Sequence, residues 1–460
     1  MSQRVEAHEE LSPLLAGHWG RLMERYEAMP GRRRKNAFAE MLAPLEPQDV
    51  AIVASFTAGE ILPAADMERL GLTPAVILAA LKQVTGRSED ALMDLAALEG
   101  GLWEVAPKLL TAPESSGKIT LLQVRTWLSE LLGYVREPLE MMVFLLETLP
   151  PVTTRYLLRV LLGELPIGLE ISSVLDAVAL AARLESEEVL QCYELTNSIE
   201  DAAERAFRGR RALAQVHCRT GRPYRLMPTL PISSVAQLFE RNTGPFMAEL
   251  EIPGVRLEIH RRHATIQLFT RRLKDVTRAF PELTLALERS LAGTDDLILE
   301  GQVFLPGASA EASDAAIQLR LSQLPTARGA VLRPEILLSV ALFELTRQGR
   351  EDLMERSAEE RRRRLRMLFK PSERILIVEA ASIEHSEQAD DYVRDARADG
   401  APGVVFKPAR SLYTAGTGGA WLRLAFEPDR VDLAVVGATL NSSGTLSRVT
   451  LACQSEGGLA

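Results

Sequence analysis

The segment AELEIPGVRLEIH, Ala248 to His260, contains two short runs in which apolar and polar residues alternate, separated by a turn at Gly254. Such alternation predicts two half-buried strands, and glycine is the residue that most readily forms the turn between them. Arg256 follows the turn by two residues, and this strand–turn–strand frame is typical of a nucleotide-binding site. The residues at its centre, Glu251 to Pro253, offer almost no chemistry. The segment therefore predicts the backbone of a binding site without a reactive group.

Strand patterns continue beyond this segment to about residue 427. VRLEIH and TIQLFT alternate on either side of RRHA, as the two strands of an antiparallel hairpin would. Further strand candidates are DLILEGQVFL, EILLSVALFEL, RILIVEAA, GVVFKPA and WLRLAFE. Helical patterns lie between them in DVTRAFPELTLALERSL, RSAEERRRRLRMLF and SEQADDYVRDARADG. This order predicts an α+β domain built on mixed sheets.

The first 215 residues predict helices throughout. Apolar residues recur at i, i+3, i+4 and i+7, and short breaks such as AMPG, LPPV and LPIG separate the stretches. The proline-rich segment RTGRPYRLMPTLPIS, which begins at Arg219, has no periodicity and predicts a linker or a crossing loop. From Val431 the sequence predicts two or three short strands around an NSSG turn. This stretch is too short for five strands of about five residues plus loops, so we expect an incomplete barrel or an edge hairpin.

The composition is that of an ordinary globular protein, with 47% hydrophobic and 25% charged residues. No stretch approaches the roughly 18 apolar residues of a membrane span, and the polar N-terminus does not resemble a signal peptide. A cytoplasmic protein is therefore expected. Cys192, Cys218 and Cys453 are too far apart for a zinc or disulfide motif. His260 and His263 form a close pair without a third ligand, and we expect them to be solvated strand-end residues.

The formal net charge is −9, which does not indicate a basic surface over the whole chain. Basic runs nevertheless occur at 208–211 (RGRR), 260–263 (HRRH), 270–272 (TRR) and 361–366 (RRRRLR). A charge run is more often a solvated face than a binding patch, so no single run predicts a nucleic-acid site by itself.

Several segments match one protein family in order and spacing. They are TTRYLLRVLLGELPIGLEISSVLDAVA, SIEDAAERAF, GRPYRLM, LFTRRLKDVTRAFPEL, GVVFK and LYTAGTGGAWLRL. Together they resemble an ATP-dependent DNA ligase of the archaeal and actinobacterial type, over nearly the whole chain. The resemblance implies a multidomain fold. An all-α DNA-binding domain (1–215) would precede an α+β nucleotidyltransferase domain with ATP-grasp-like antiparallel sheets (219–427), and a truncated OB-like tail (428–460) would follow.

A ligase of this kind attacks the α-phosphate of ATP with a lysine amine, and a divalent metal ion neutralises the triphosphate. The family's lysine lies in Lys-x-Asp-Gly-x-Arg, which aligns with EIPGVR. Glu251 therefore stands at the nucleophile's position and Pro253 at that of the aspartate, whereas Gly254 and Arg256 are kept. Glu249 matches an acid that the family places near adenine.

The later motifs depart from the family in the same direction. The matched positions are Glu300 and Gln302 in the third motif, Pro402 and Lys407 in the fourth, Arg423 and Ala425 in the fifth, and Phe343 for the ring that stacks on adenine. Carboxylates that would accompany a metal and lysines that would neutralise phosphates are lost together. The resemblance therefore predicts no intact catalytic residue and no metal site. Neither ATP nor Mg²⁺ is expected as a cofactor unless Lys407 replaces the lost lysine.

The helical half and the TRR segment keep the family's pattern and predict contacts with the phosphates of duplex DNA. Arg155 and Arg159 are spaced i, i+4 and could equally pair with Glu164 or Glu170. Pro166 stands where the family commonly has an arginine, which would weaken the DNA surface. The candidates for DNA contact are Thr120, Arg155, Arg159, Arg271 and Arg272, with the run at 361–366 as an outlying possibility.

Three functions remain open at this point. The first is an inactive pseudo-ligase that binds duplex or nicked DNA as a DNA repair or scaffold factor. The second is an active DNA ligase with a displaced lysine, for which Lys407 is a better candidate than Lys274. The third is a protein-interaction module that reuses the ligase fold, with a protein partner and no membrane association.

Overall fold

The computed structural model describes most of the chain. The described residues are 14–62, 64–111, 117–133, 135–164, 167–241, 244–291, 296–323, 335–369, 372–416, 418–426, 434–440, 446–452, 454–455 and 458–459. Pro166 and the NSSG turn lie outside them. Within these ranges, none of the helices combines the length and apolar character that crossing a bilayer requires.

The N-terminal half is helical from Ala16 to Ala214, as the periodicity predicts. Its helices are α1 (Ala16–Glu27), α2 (Gly31–Leu42), α3 (Pro47–Ala58), α4 (Ala64–Arg69), α5 (Pro74–Thr85), α6 (Glu89–Glu99), α7 (Val105–Leu109), α8 (Leu121–Leu132), α9 (Pro138–Thr148), α10 (Pro151–Leu161), α11 (Ile171–Ala182), α12 (Ser186–Thr196), α13 (Ile199–Arg208) and α14 (Arg210–Ala214).

One continuous apolar core holds these helices together. Trp19 is fully buried in it and makes edge-on ring contacts with Phe56 and Tyr156, at centroid distances of 5.6 and 6.3 Å. Proline opens several helices at a position whose N–H has no helical partner, so it begins a helix without losing a hydrogen bond. Because the helices share one core, the half is a single packed unit.

The second half contains two sheets, and along the chain helices lie between their strands. Its strands are β1 (Thr229–Ile232), β2 (Phe246–Leu250), β3 (Val255–Arg262), β4 (Thr265–Thr270), β5 (Leu297–Phe304), β6 (Ser339–Gln348), β7 (Glu351–Asp352), β8 (Ile375–Ile377), β9 (Ala380–Ile383), β10 (Gly403–Pro408) and β11 (Trp421–Ala425). Its helices are α15 (Val235–Arg241), α16 (Pro281–Ser290), α17 (Ala310–Ser322), α18 (Ala358–Leu368) and α19 (Ser386–Ala398).

Both sheets are mixed, as predicted. The larger has the order β4-β3-β5-β6-β7 with β8 beside β6, and the smaller has the order β1-β11-β10-β2-β9. Only the β1–β11 and β6–β8 pairs are parallel among the described strands of these sheets. The predicted hairpin is β3–β4. Its turn is shorter than predicted, because the strands remain paired up to Arg262 and Thr265. The predicted strand RILIVEAA instead divides into β8 and β9, which belong to different sheets.

The prediction of a linker or crossing loop at residue 219 is confirmed for residues 219–228, which connect the two halves without helix or strand, and is wrong for residues 229–232, which form β1. Tyr224 and Met227 are fully buried, and β1 joins the smaller sheet. The segment also ties the two halves together, because the backbone N–H of Arg225 donates to the Glu194 carbonyl at 2.8 Å. The Arg225 carbonyl in turn accepts from the Gly416 N–H at 2.7 Å. A segment without periodicity is here a buried connection between domains.

The tail contains β12 (Ala434–Leu440) paired antiparallel with β13 (Leu446–Ala452), and β14 (Gln454–Ser455) paired with β15 (Gly458–Leu459). Two strands around the NSSG position are thus as predicted. Within the described residues this hairpin pairs with neither large sheet, so the alternative of an edge hairpin added to the second half is not borne out.

Candidate functional site

A cleft of about 340 Å³ opens where the two sheets of the second half face each other. β2, β10 and β11 supply one wall, and the start of β3, the end of β5 and the middle of β6 supply the other. Six of the seven residues predicted for the nucleotide pocket line it: Glu249, Glu251, Arg256, Phe343, Lys407 and Arg423. The seventh, Glu300, lies directly behind Arg256. The order of motifs along the sequence therefore predicts correctly that these side chains, from six strands, lie together.

Glu251, at the centre of the opening segment, is paired with Arg423. The Arg423 Nε donates to Glu251 Oε2 at 2.8 Å, and both side chains are partly exposed. Glu251 leaves the end of β2, where its N–H donates to the Gly403 carbonyl at 2.9 Å. The carboxylate and the guanidinium thus neutralise each other at the position where the resemblance places the family's reactive lysine amine.

Glu249 and Lys407 form a second pair, which is buried. Lys407 Nζ lies 2.8 Å from Glu249 Oε2, and the two side chains are 2% (Lys407) and 4% (Glu249) exposed. Lys407 also donates to the Phe343 carbonyl at 3.0 Å, and its ammonium lies 4.2 Å from the Trp421 ring centre. Arg362 donates to the other Glu249 oxygen at 3.0 Å. Burial raises the pKa of the Glu249 carboxyl, although both cations oppose the shift.

Arg256 and Glu300 form a third pair at the back wall. The Arg256 Nε donates to Glu300 Oε2 at 2.9 Å, and its Nη1 donates to the Met227 carbonyl at 2.9 Å. The Tyr413 hydroxyl donates to the other Glu300 oxygen. Burial raises the pKa of Tyr413 well above its usual value, with the Glu300 charge adding to the effect. Both oxygens of Glu300 are therefore already occupied.

Glu300 is the middle member of a row of three buried glutamates. Glu258 on β3, Glu300 on β5 and Glu344 on β6 stand in register across adjacent strands, and each is at most 2% exposed. Arg361 holds Glu344 with two hydrogen bonds of 3.0 Å, and His260 lies 2.6 Å from Glu258. The prediction that His260 is solvated is wrong, because its side chain is fully buried. Each acid of the row has its own partner.

The turn after Glu251 depends on Gly254. Its φ is +133°, and a Cβ there would overlap the Val303 carbonyl oxygen on β5. The Gln302 amide donates to the Gly254 carbonyl at 2.6 Å. Gln302 thus fastens the turn, in place of the carboxylate that the resemblance leads one to expect there.

Sequence models of known families match both halves of the chain. A model described as "ATP dependent DNA ligase domain" matches residues 227–424, and one described as "DNA ligase N terminus" matches residues 17–179. The chain belongs to the ATP-dependent DNA ligase family. Two curated relatives support the assignment over most of the chain. They are DNA ligases of Methanosphaerula palustris (28% identical over 447 residues, 94% of this chain and 79% of that protein) and Methanothrix thermoacetophila (28% over 436 residues, 91% and 76%).

A solved structure supports the fold of this ligase-family chain. "Pmar-Lig_PreS3" aligns with 96% of the chain and 86% of its own length, at 14% identity and a TM-score of 0.51. At this identity the match shows a shared fold: a helical region followed by an α+β sheet domain.

The cleft of this family member does not fit a divalent metal ion bound to a triphosphate. Mg²⁺ requires oxygen ligands, above all carboxylates. Glu300 is held by Arg256 and Tyr413, and Gln302 is held by the turn. Among the described residues, no group of three or more histidines, cysteines, aspartates or glutamates is placed to hold a metal ion.

The residues predicted to contact DNA divide into two groups. Arg271 and Arg272 follow β4 and are exposed, and Arg271 lines the cleft. Arg155 and Arg159 instead take part in the packing of the helical half, with side chains 20% and 18% exposed. The predicted alternative of ion pairs is right in kind, but the predicted partners are wrong. Because α10 packs against α1 and α7, the acids come from elsewhere in the bundle: Glu27 contacts both arginines and Glu104 contacts Arg155.

Thr120 and the basic run at 361–366 are also structural. Thr120 caps α8 through a reciprocal pair of hydrogen bonds with Gln123. In the basic run, Arg361 and Arg362 are buried against Glu344 and Glu249. The other arginines of the run pair with surface acids. Burial removes Arg361 and Arg362 from the outlying prediction of DNA contact, which stays a prediction for the exposed Arg363 and Arg366.

Sequence reasoning missed three residues of the site: Trp421 lines the cleft, and Arg362 and Tyr413 hold Glu249 and Glu300. One signal was present in the sequence: Glu249 and Glu344 occupy positions in apolar strands where burial is expected, and a buried carboxylate needs a cation. The sequence near Glu249 does not identify that cation, since Arg362 is 113 residues away.

Proposed function

We propose that this chain is a pseudo-ligase that binds duplex or nicked DNA through its phosphate backbone and does not form a covalent adenylate. The observation that carries the proposal is Glu251, which takes the nucleophile's position and is bound to Arg423 at 2.8 Å. A carboxylate cannot form the phosphoramidate bond of a lysyl adenylate. Arg423 stands at the position of one of the family's phosphate-neutralising lysines. Because it is paired with Glu251, it is not free to bind a nucleotide phosphate.

Lys407 is a poor substitute nucleophile. An attacking amine must lose its proton and reach the α-phosphate. Lys407 instead has a side chain that is 2% exposed and directs its ammonium to Glu249 and to the Phe343 carbonyl. The absence of fit for a metal ion at Glu300 and Gln302 argues in the same direction, because adenylation also needs charge neutralisation on the triphosphate.

DNA binding rests on separate observations. Both matched regions belong to DNA ligases, and the curated relatives bear that name. Exposed Arg271 and Arg272 stand beside the cleft, where guanidinium groups can bind phosphate oxygens through paired hydrogen bonds. These contacts require neither ATP nor a metal ion.

The decisive experiment has two arms. The protein is incubated with ATP labelled at the α-phosphate and with Mg²⁺ or Mn²⁺, beside an active ligase, and separated by denaturing electrophoresis. We expect no labelled band, and a band that disappears in Lys407→Ala would establish the active alternative. The second arm measures binding to a fluorescent nicked duplex without ATP. Binding is expected. If the protein is neither labelled by ATP nor bound to the duplex, a partner protein recovered by pull-down would favour the interaction module.

A further inference from the structure

Three basic segments that are distant in sequence meet where the two halves of the protein join. The first is the run at 208–211, the second is the β3–β4 turn at 262–263, and the third is the β6–β7 turn at 349–350. They surround residues 217–222, which lead from the helical half into the sheets. Two of the segments belong to basic runs whose role the cleft does not explain.

Asp296 fixes this arrangement. Its carboxylate accepts from the His263 N–H at 2.9 Å and from the Thr220 hydroxyl at 3.1 Å, and its carbonyl accepts from the Gly349 N–H at 2.7 Å. Arg347 donates to the Cys218 carbonyl at 2.7 Å. Both hairpin turns are therefore held against the same stretch of chain, and their arginines are presented on one surface.

Two adjoining hollows, of about 350 and 430 Å³, open on this surface. The first is lined by Arg219, Arg347 and Arg350, and the second by Arg210. His217, Asp352 and Glu355 line both hollows, which makes them continuous. Together with Arg262 of the neighbouring turn, these arginines form what we call the basic seam: Arg210, Arg219, Arg262, Arg347 and Arg350.

One arginine of the seam is already paired, since Arg210 lies 3.0 Å from Glu188, and Arg262 interacts electrostatically with Asp296. The Asp352 carboxylate accepts backbone N–H groups from Cys218 at 3.3 Å and Met354 at 2.9 Å, and it contacts only His217 as an ion pair. In the described part of the chain, the exposed Arg219, Arg262 and Arg350 make no direct ion pair. These three arginines differ from those of the run at 361–366, each of which is paired, and they are notable in a chain of net charge −9.

We propose that the basic seam is a second contact surface for the DNA phosphate backbone, separate from the cleft. This inference rests on the proposed function. β3 runs from Arg256, which lines the cleft, to Arg262 in the seam, six residues later and about 20 Å away at roughly 3.3 Å per residue. Arg271 and Arg272 lie at the cleft end of the same hairpin. A duplex contacting both ends would be held over about six base pairs, at about 3.4 Å each.

The test is the salt dependence of binding to a fluorescent nicked duplex. The slope of log K against log salt concentration becomes shallower by about 0.9 for each phosphate that the protein no longer neutralises. We expect the triple variant R219Q/R262Q/R350Q to have a slope shallower by about 2 to 3 units. The variant R219K/R262K/R350K, which keeps the charges, should stay near wild type. The control R289Q/R366Q/R394Q removes three exposed arginines on α16, α18 and α19 and should leave the slope unchanged.

The outcomes separate this inference from the proposed function. Wild-type binding with an unchanged slope in R219Q/R262Q/R350Q would overturn the seam and leave DNA binding intact. A slope reduced equally by the control triple would also overturn the seam, because the effect would then be one of net charge. Absence of wild-type binding at low salt would overturn both. Thermal melts of all variants verify that the exposed substitutions leave the fold unchanged.

Discussion

Replacing Lys407 with methionine should lower the free energy of unfolding by about 3 kcal/mol. Lys407 and Glu249 are 2% and 4% exposed and lie 2.8 Å apart. Breaking a buried ion pair from one side costs roughly 3–5 kcal/mol, because the remaining charge stays buried. Arg362 still holds the other Glu249 oxygen at 3.0 Å, which places the expected loss at the low end. Methionine keeps most of the apolar stem, so lost packing adds little.

The loss should also depend on pH. Burial raises the pKa of Glu249 above its usual 4.5, and removing Lys407 raises it further. A carboxyl whose pKa is higher in the folded protein gives its full stability below the unfolded pKa and loses it as pH rises through the folded pKa. The deficit of Lys407→Met should therefore be small near pH 4.5 and grow towards neutral pH.

Urea unfolding at pH 5 and pH 8 measures both effects. Lys82→Met, a change at an exposed position on α5, is the matched control and should alter stability by less than about 0.5 kcal/mol. If Lys407→Met is as stable as Lys82→Met, or if its deficit is the same at both pH values, the buried pair does not hold Lys407. The lysine would then be free to act as a nucleophile, and the active-ligase alternative would regain support.

Three further outcomes are expected. Glu251→Lys should not become labelled by ATP, because the carboxylates expected to accompany the metal stay absent, and a labelled single variant would contradict this. In thermal melts it should lose about 1 kcal/mol of stability, which the double variant Glu251→Lys/Arg423→Glu should recover. Gly254→Ala should cost more than about 2 kcal/mol, whereas Gly307→Ala, at positive φ but in open space, should cost about 1; equal losses in urea unfolding would refute the clash. Arg155→Met should destabilise the helical half by about 1–3 kcal/mol and leave the DNA affinity of the folded protein unchanged; weaker DNA binding at full stability would reverse that assignment.

The elements that sequence reasoning predicts well are those with a local period. The helices of the first half and the β3–β4 hairpin each carry their own repeat of apolar residues. The segment from Arg219 has no period because it lies between two domains and buries Tyr224 and Met227 against different neighbours. Its strand β1 pairs with β11, nearly 200 residues later, and no short-range pattern reports such a pairing.

For the site, too, the sequence predicts some features well and others not at all. Motif order placed Glu251, Lys407 and Arg423 in one cleft, because a family's motifs keep their positions in the fold. The pairing of charges did not follow from the sequence. The spacing of Arg155 and Arg159 on one helix pointed to partners in the same region, whereas Glu27 and Glu104 come from other parts of the bundle. A run of arginines predicts a surface feature, and only the packing shows which of its members face inward.

The row of glutamates on β3, β5 and β6 has a consequence for how this protein can evolve. Each buried acid is matched to a residue on another element or farther along its own strand, so a single substitution on either side leaves a charge without a counterpart. The same holds for Glu249 and Lys407. A return to the family's usual residues would have to pass through intermediates that are less stable than either end point. Mutational drift in the cleft is thus expected to proceed by compensated pairs, and homologues with this arrangement should change Glu344 and Arg361 together or not at all.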